Sequence, residues 1–192
     1  MIAPVHQLPR RRFIVIRHGE TDANRDQVIA GRIEATLTPR GRQAAEGLAQ
    51  RTWPNDLRVF CSPQQRAMDT ARLAFPAHEV TVIAGLRERD WGVFEGRPVR
   101  DAPPRHDTPE GGEAWMAVID RVALAVHQAV EIAGPAVPVL VAHSGVIRAV
   151  RALTGGCDDG PSPCNTVPYV YTPNADGDGW QEAEWTSDQT AA

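Results

Sequence analysis

The sequence predicts a three-layer α/β/α fold around a mostly parallel sheet, with an antiparallel edge strand and a short lid insertion, on three observations. Short apolar runs alternate with segments of helical period, the order that builds parallel sheets covered on both faces. Two of those runs end in a histidine with glycine just behind it, at His18-Gly19 and His143-Ser144-Gly145. Two β-prone runs near the end flank Asn174-Ala175-Asp176-Gly177 and read as a hairpin suited to a sheet edge.

Taken in order, Phe13-Ile14-Val15-Ile16 is a buried strand that delivers Arg17 and His18 to its carboxyl end, where sheets of this class place ligand-binding groups. Gly19 allows a sharp turn and lets an anion approach main-chain N–H groups, while Arg17 offers a fixed fork that suits phosphate oxygens. Asp22 to Glu34, broken by Gly31, reads as a loop over the strand ends and carries Asn24. Thr38-Pro39 starts a helix with Ala44, Ala45, Leu48 and Ala49 as its apolar face and an end near Trp53-Pro54. Leu57 to Cys61 is a second strand. Ser62-Pro63 repeats the hydroxyl and proline helix start, so Arg66 falls in the first turn of a helix buried through Ala67, Met68 and Ala71. A guanidinium there is joined by free backbone N–H groups and the positive end of the helix.

Glu79 to Leu86 reads as a third strand closing at Arg87-Glu88, and the glycine- and proline-rich stretch from Trp91 to Gly112 fits a lid over a pocket. Trp115, Ile119, Val122, Val126 and Val130 recur at helical spacing and give one long helix from about Glu113 to Ile132. Val137 to Ala142 is a fourth strand, followed by a helix with Val146, Ile147, Val150 and Leu153 inward. Tyr169 to Thr172 and Gln181 to Trp185 form the closing hairpin, and Thr186 to Ala192 is expected to fray. One domain is expected over residues 1–192, with a core over about 13–154, a hairpin over about 167–186 and the lid over about 91–112.

At 192 residues and 42% hydrophobic, the chain can fill one core. A net charge of -4 leaves no basic excess for nucleic acid, so a phosphate site must gather its own positive charge. No apolar run approaches the roughly 18 residues that cross a bilayer, and Met1 to Arg12 lacks the apolar centre of a signal peptide. The expectation is a cytoplasmic protein with neither membrane nor nucleic-acid partners; a homodimer is compatible. Cys61, Cys157 and Cys164 are odd in number and lack C-x-x-C spacing, which indicates neither a disulfide framework nor a zinc knot. His6, His78, His106 and His127 have no motif around them, and Arg87 and Arg89 read as surface or supporting charges.

Alone, Arg17-His18 is more simply a surface ion pair beside a satisfied histidine. Yet Arg17, His18, Arg66, Glu88 and His143 all fall at the carboxyl ends of expected strands, which converge on one crevice. That joint placement outweighs the plain reading of each.

The same residues resemble the histidine phosphatase superfamily, which includes the cofactor-dependent phosphoglycerate mutases. Arg17-His18-Gly19-Glu20-Thr21 with Asn24 is similar to its signature. So are Gly31 with Leu37-Thr38-Pro39 and Gly41-Arg42-Gln43-Ala44, and Ser62-Pro63 with Arg66-Ala67 and Thr70-Ala71. Leu86-Arg87-Glu88 with Trp91-Gly92 and Glu95-Gly96, and Ala142-His143-Ser144-Gly145-Val146-Ile147-Arg148, resemble its later blocks, in the family's order. The resemblance covers about Phe13 to Leu153. It implies that His18 attacks phosphorus and forms a phosphohistidine, that Arg17, Arg66 and His143 surround the phosphoryl oxygens, and that Asn24, Gly31, Ser144 and Gly145 contact the substrate. Glu88 would protonate the departing oxygen and then take a proton from the hydrolysing water. No cofactor and no metal are implied, and the partner is a small phosphate ester. Gln64 departs from the pattern, standing where relatives are often apolar; so do Asp69, Glu34 and Thr36.

Other readings fit less well. Ser144 lacks the small flanks of a nucleophile elbow, since Ala142 and Val146 stand there. Cys61 and Arg66 are separated by four residues where a cysteine phosphatase uses five. Metal phosphatases cluster His and carboxylate ligands, and no H-x-H or H-E-x-x-H occurs. A catalytically inactive phosphate-binding module leaves the filled chemical positions unexplained. A mutase needs a longer, basic lid, and Asp90 would repel a second phosphate if it faced the pocket. The expectation is therefore a metal-independent phosphomonoesterase of histidine acid phosphatase type, with mutase-type transfer as the alternative.

Overall fold

The computed structural model describes residues 7–186, so His6 and, apart from Thr186, the tail expected to fray lie outside the described residues. The chain runs β1 (Phe13–Arg17), α1 (Asp22–Arg25), α2 (Pro39–Leu48), β2 (Leu57–Cys61), α3 (Gln65–Ala74), β3 (Val80–Val82), α4 (Trp115–Ala133), β4 (Val137–Ala142), α5 (Ser144–Leu153), β5 (Pro168–Pro173) and β6 (Trp180–Glu184). One sheet orders these strands β3-β2-β4-β1-β5-β6. The first four are parallel, and the β5–β6 hairpin closes one edge antiparallel to β1.

Alternation along the central strands sorts the core into two layers, because successive side chains leave opposite faces of a strand. Phe13, Val15, Phe60 and Leu140 pack under α4 and α5 with Val122, Val126 and Ile147. Ile14, Ile16, Val59 and Val141 pack under α3 with Ala67, Ala71 and Ala74. Strands covered on both faces are why β1 and β4 read as unbroken apolar runs. The fold is thus a six-stranded mixed sheet between helical layers, as the sequence implies.

Several boundaries differ from expectation, each for a local reason. Part of the stretch read as loop is the single turn α1, because Thr21 and Asn24 cap each other's backbone N–H groups. Helix α2 stops at Leu48, short of Trp53, whose indole N–H caps the Leu48 carbonyl at 2.9 Å. Helix α3 starts at Gln65, and Ser62 does not cap it; its hydroxyl serves a histidine instead. Strand β3 holds three residues only. The chain then tucks into a tight turn over Ala84–Leu86 that buries Leu86 and brings Glu88 inward. Ala44 of α2 is exposed, whereas all five expected core positions of α4 are buried. Among the described residues no helix is long and apolar enough to cross a membrane.

Candidate active site

Register brings the two histidines together. Arg17 of β1 lies opposite Ala142 of β4, so the next residues on each strand, His18 and His143, become neighbours. The His18 N–H extends the ladder to the Ala142 carbonyl at 3.0 Å. Ring centroids stand 5.1 Å apart with planes at 61°, so the imidazoles meet edge to face. On the far side of β4, Cys61 pairs with Val141, which sets Ser62 beside His143. The Ser62 hydroxyl and His143 Nε2 are 2.7 Å apart.

His18 Nδ1 lies 2.7 Å from the Gly19 carbonyl. A carbonyl only accepts, so Nδ1 carries the proton and Nε2 keeps its lone pair. Burial first, then the charges of Arg66 and Arg17, lower the His18 pKa well below the ordinary histidine range. Burial, Arg66, His18 and Arg17 do the same to His143. Both rings are therefore neutral at neutral pH. His143 Nδ1 is shut off from solvent and has no hydrogen-bond partner among the described residues.

The two arginines are aimed by backbone carbonyls. Arg17 donates to Pro163 O at 2.8 Å. Arg66, 1% exposed, donates to Ile33 O at 3.0 Å, Ala30 O at 3.0 Å and Gly31 O at 2.9 Å. Carbonyl acceptors orient a guanidinium without cancelling its charge. Burial lowers both arginine pKa values, opposed by Glu88, and guanidinium groups remain protonated regardless. The Gly19 N–H, expected to face an anion, donates instead to the Thr70 hydroxyl at 3.0 Å. Positive charge at the site therefore comes from side chains rather than from that turn's backbone.

Glu88 is fixed at both oxygens. Oε1 accepts from Arg89 N at 2.7 Å and Oε2 from Gly145 N at 3.1 Å. A Cβ on Gly145 would come within 2.1 Å of Glu88 Oε1, so only glycine lets the carboxylate reach the start of α5. Gly145, which the resemblance implies as a substrate contact, thus gives its N–H to Glu88.

Arg17, His18, Asn24, Arg66, Glu88, Ser144 and Gly145 line one cavity of about 400 Å³. Asn24 Oδ1 accepts from Thr21 N and Asn165 Nδ2, both at 3.2 Å, which leaves its amide NH₂ uncommitted among the described residues. Two expected contacts are not in the lining. His143 is fully buried against the edge of the His18 ring, and Gly31 holds Arg66 with its carbonyl while its N–H is given to Glu95 at 3.0 Å. A Cβ at Gly31 would fall 2.1 Å from Arg89 O, so glycine is needed there for packing.

Arg89, Trp91, Arg105, Trp115 and Arg148 form the outer wall. Arg89 is no surface charge: it is 1% exposed and donates to the carbonyls of Glu113, Arg105 and Asp107 at 2.9, 2.8 and 2.6 Å. Its guanidinium lies 4.7 Å from the Trp91 ring centroid. Arg148, one turn after Ser144 on α5, has its pKa brought down to about 10, chiefly by burial. Helical spacing from Ser144 could have pointed to Arg148, and adjacency to Glu88 to Arg89. Arg105 and Asn165 lie in loops with no local signal.

Asp90 lies outside the cavity, 3.3 Å from Arg32 and accepting from Gly92 N at 2.9 Å, so it opposes no second phosphate. His106, 64% exposed, is also outside. Cys61 is buried in β2, and burial pushes its thiol up to about 11, which removes the cysteine-nucleophile reading. Ser144 is 3.4 Å from Ser162 and from Arg148 and bonds no imidazole among the described residues, which removes the serine reading.

Comparisons with known proteins bear on the family of the chain. The model described as "Histidine phosphatase superfamily (branch 1)" matches residues 13–162, and the chain belongs to that superfamily. It is 35% identical over 174 residues to the glucosyl-3-phosphoglycerate phosphatase of Mycolicibacterium vanbaalenii, covering 76% of this chain and 75% of the relative. It is 32% identical over 158 residues to the adenosylcobalamin/alpha-ribazole phosphatase of Escherichia coli K12, covering 73% and 77%. Among solved structures, the alpha-ribazole phosphatase of Shigella flexneri superimposes with a TM-score of 0.76 at 25% identity, covering 95% of this chain and 99% of that one.

Proposed function

We propose that the protein is a phosphomonoester hydrolase that works through a phosphohistidine at His18 Nε2, without a metal, on a small phosphorylated metabolite in the cytoplasm. The observation that carries this reading is the Nδ1 contact of His18 with Gly19 O, which leaves a bare Nε2 in a cavity shared with two guanidinium groups and a carboxyl.

In the first step, Nε2 forms a bond to phosphorus while the ester P–O bond breaks. Protonated Glu88 gives its proton to the departing oxygen, yielding the free alcohol. In the second step, the Glu88 carboxylate takes a proton from water as the water oxygen bonds phosphorus and the N–P bond breaks. Inorganic phosphate leaves, and the acid and the neutral imidazole are restored. Charge spreads over the phosphoryl oxygens in both transition states, and Arg17 and Arg66 stand ready for it. One such preplaced donor is worth roughly 3 to 4 kcal/mol in other enzymes. His143, outside the cavity lining, has an unpartnered Nδ1 from which it would add a third donor to a bound phosphoryl group, and Asn24 would add a polar contact. The whole chain would act as one histidine phosphatase-type domain, with residues 91–112 as a lid.

Relatives named as phosphatases of glucosyl-3-phosphoglycerate and alpha-ribazole phosphate support a small phosphate ester as the substrate class. Turnover of p-nitrophenyl phosphate should survive EDTA and be blocked by vanadate. Loss of activity in EDTA, restored by added metal, would contradict the metal-free reading. With 3-phosphoglycerate and 2,3-bisphosphoglycerate together, phosphate release should outpace isomer exchange; the reverse ranking would make the protein a mutase.

A further inference from the structure

We propose that Gln64 is a positioning residue that ties the segment carrying Glu88 to the loop that holds Arg66, a link that rests on reading Glu88 as the acid. The side chain is buried and both ends are engaged. Its Oε1 accepts from the Glu88 N–H at 2.7 Å. Its Nε2 donates to the Gly31 carbonyl at 2.5 Å, and that same carbonyl accepts from Arg66 at 2.9 Å. An N–H can only donate and a carbonyl can only accept, so one orientation of the amide satisfies both bonds.

Glu88 receives support from two sides. Its carbonyl side is held by Arg121 of α4, which donates to the carbonyls of Gly85, Arg87 and Glu88. Its amide side is held by Gln64. Replacing Gln64 with an apolar residue of similar size keeps the packing and the Arg121 contacts while freeing the N–H side of the acid. The carboxyl then wanders relative to Gly145 and to the ester oxygen it must protonate, and small misplacements of a catalytic group are costly.

An acid matters most when the departing oxygen is a poor leaving group. The test compares kcat/KM for p-nitrophenyl phosphate, a good leaving group, with that for glycerol 3-phosphate, a poor one. Gln64→Met should stay within about threefold of wild type on the first and fall about tenfold on the second. Gln64→Glu keeps an acceptor for the Glu88 N–H but sets a carboxylate oxygen against the Gly31 carbonyl, so it breaks the link at that end and should shift the ratio in the same sense as Gln64→Met. Glu88→Gln, the reference, should change the ratio in the same sense as Gln64→Met and by more. Should Gln64→Met not fold, Gln64→Leu gives the same reading. Equal losses on both substrates in Gln64→Met, beside a steep ratio in Glu88→Gln, overturn the proposal and leave the acid assignment standing. Unchanged ratios in both variants overturn the acid assignment and this proposal with it.

Discussion

The turn after β1 and the turn after β4 begin from the same local pattern of buried parallel strand, histidine and glycine, yet they hold their rings by opposite nitrogens. After β1, Nδ1 of His18 is held inside its own turn by Gly19 O. After β4, Nε2 of His143 is held by the Ser62 hydroxyl from a neighbouring strand. A carbonyl permits one tautomer, whereas a hydroxyl donates or accepts and permits both. The strand pattern thus decides where an imidazole stands, and its partner decides what the imidazole can do. His18 is committed to presenting a lone pair, while His143 keeps the choice of which nitrogen carries the proton.

The largest effect that separates the two turns lies in the rings themselves. His18→Ala should lower kcat at least about 10⁴-fold, as loss of a nucleophile does, with the fold retained. His143→Ala should cost about 10² to 10³, the scale of one charge-stabilising donor. Steady-state kinetics checks both, and a larger loss at His143 would exchange the roles. Ser62→Ala should cost about tenfold or less, since it loosens the orientation of His143 without removing the ring. A loss as large as that of His143→Ala would mean that the ring works only through Ser62.

The comparison extends to pH. Both folded histidines have pKa values well below about 6.5, so each takes a proton only at lower pH than a free imidazole. Activity should persist below that value, and the acid limb of kcat/KM should move upward in Arg66→Met, which removes a charge that opposes protonation. The same shifts act on stability. As pH falls through about 6.5 the unfolded chain binds protons on these groups and the folded chain does not, so stability present above that pH is lost on descent toward the folded values. Denaturant titrations at pH 7 and pH 5 measure the loss, and no loss at all would mean that the rings are less desolvated than their burial implies.

Sequence made the sheet, the long helix and the five converging groups legible because each rests on local pattern: apolar runs, helical spacing, and charged residues at strand ends. What escaped it depends on contacts across the chain. Ser62 serving His143 rather than capping α3, and Thr70 taking the Gly19 N–H, both join residues far apart in the sequence. Gln64 registers in the sequence as a departure from family pattern, and its two partners become visible only in three dimensions. Of the two readings the sequence leaves for Arg89, surface or supporting charge, the buried supporting one holds, and only the structure decides it because its acceptors are backbone carbonyls, which any sequence supplies.

The most direct measurement is to quench the enzyme in mid-turnover with a fast-reacting phosphate ester and map the covalent phosphate by mass spectrometry and phosphorus NMR under alkaline conditions. The account predicts one phosphoryl group on Nε2 of His18, absent in His18→Ala. Phosphate on His143, on Ser144 or on Nδ1 of His18 would contradict it.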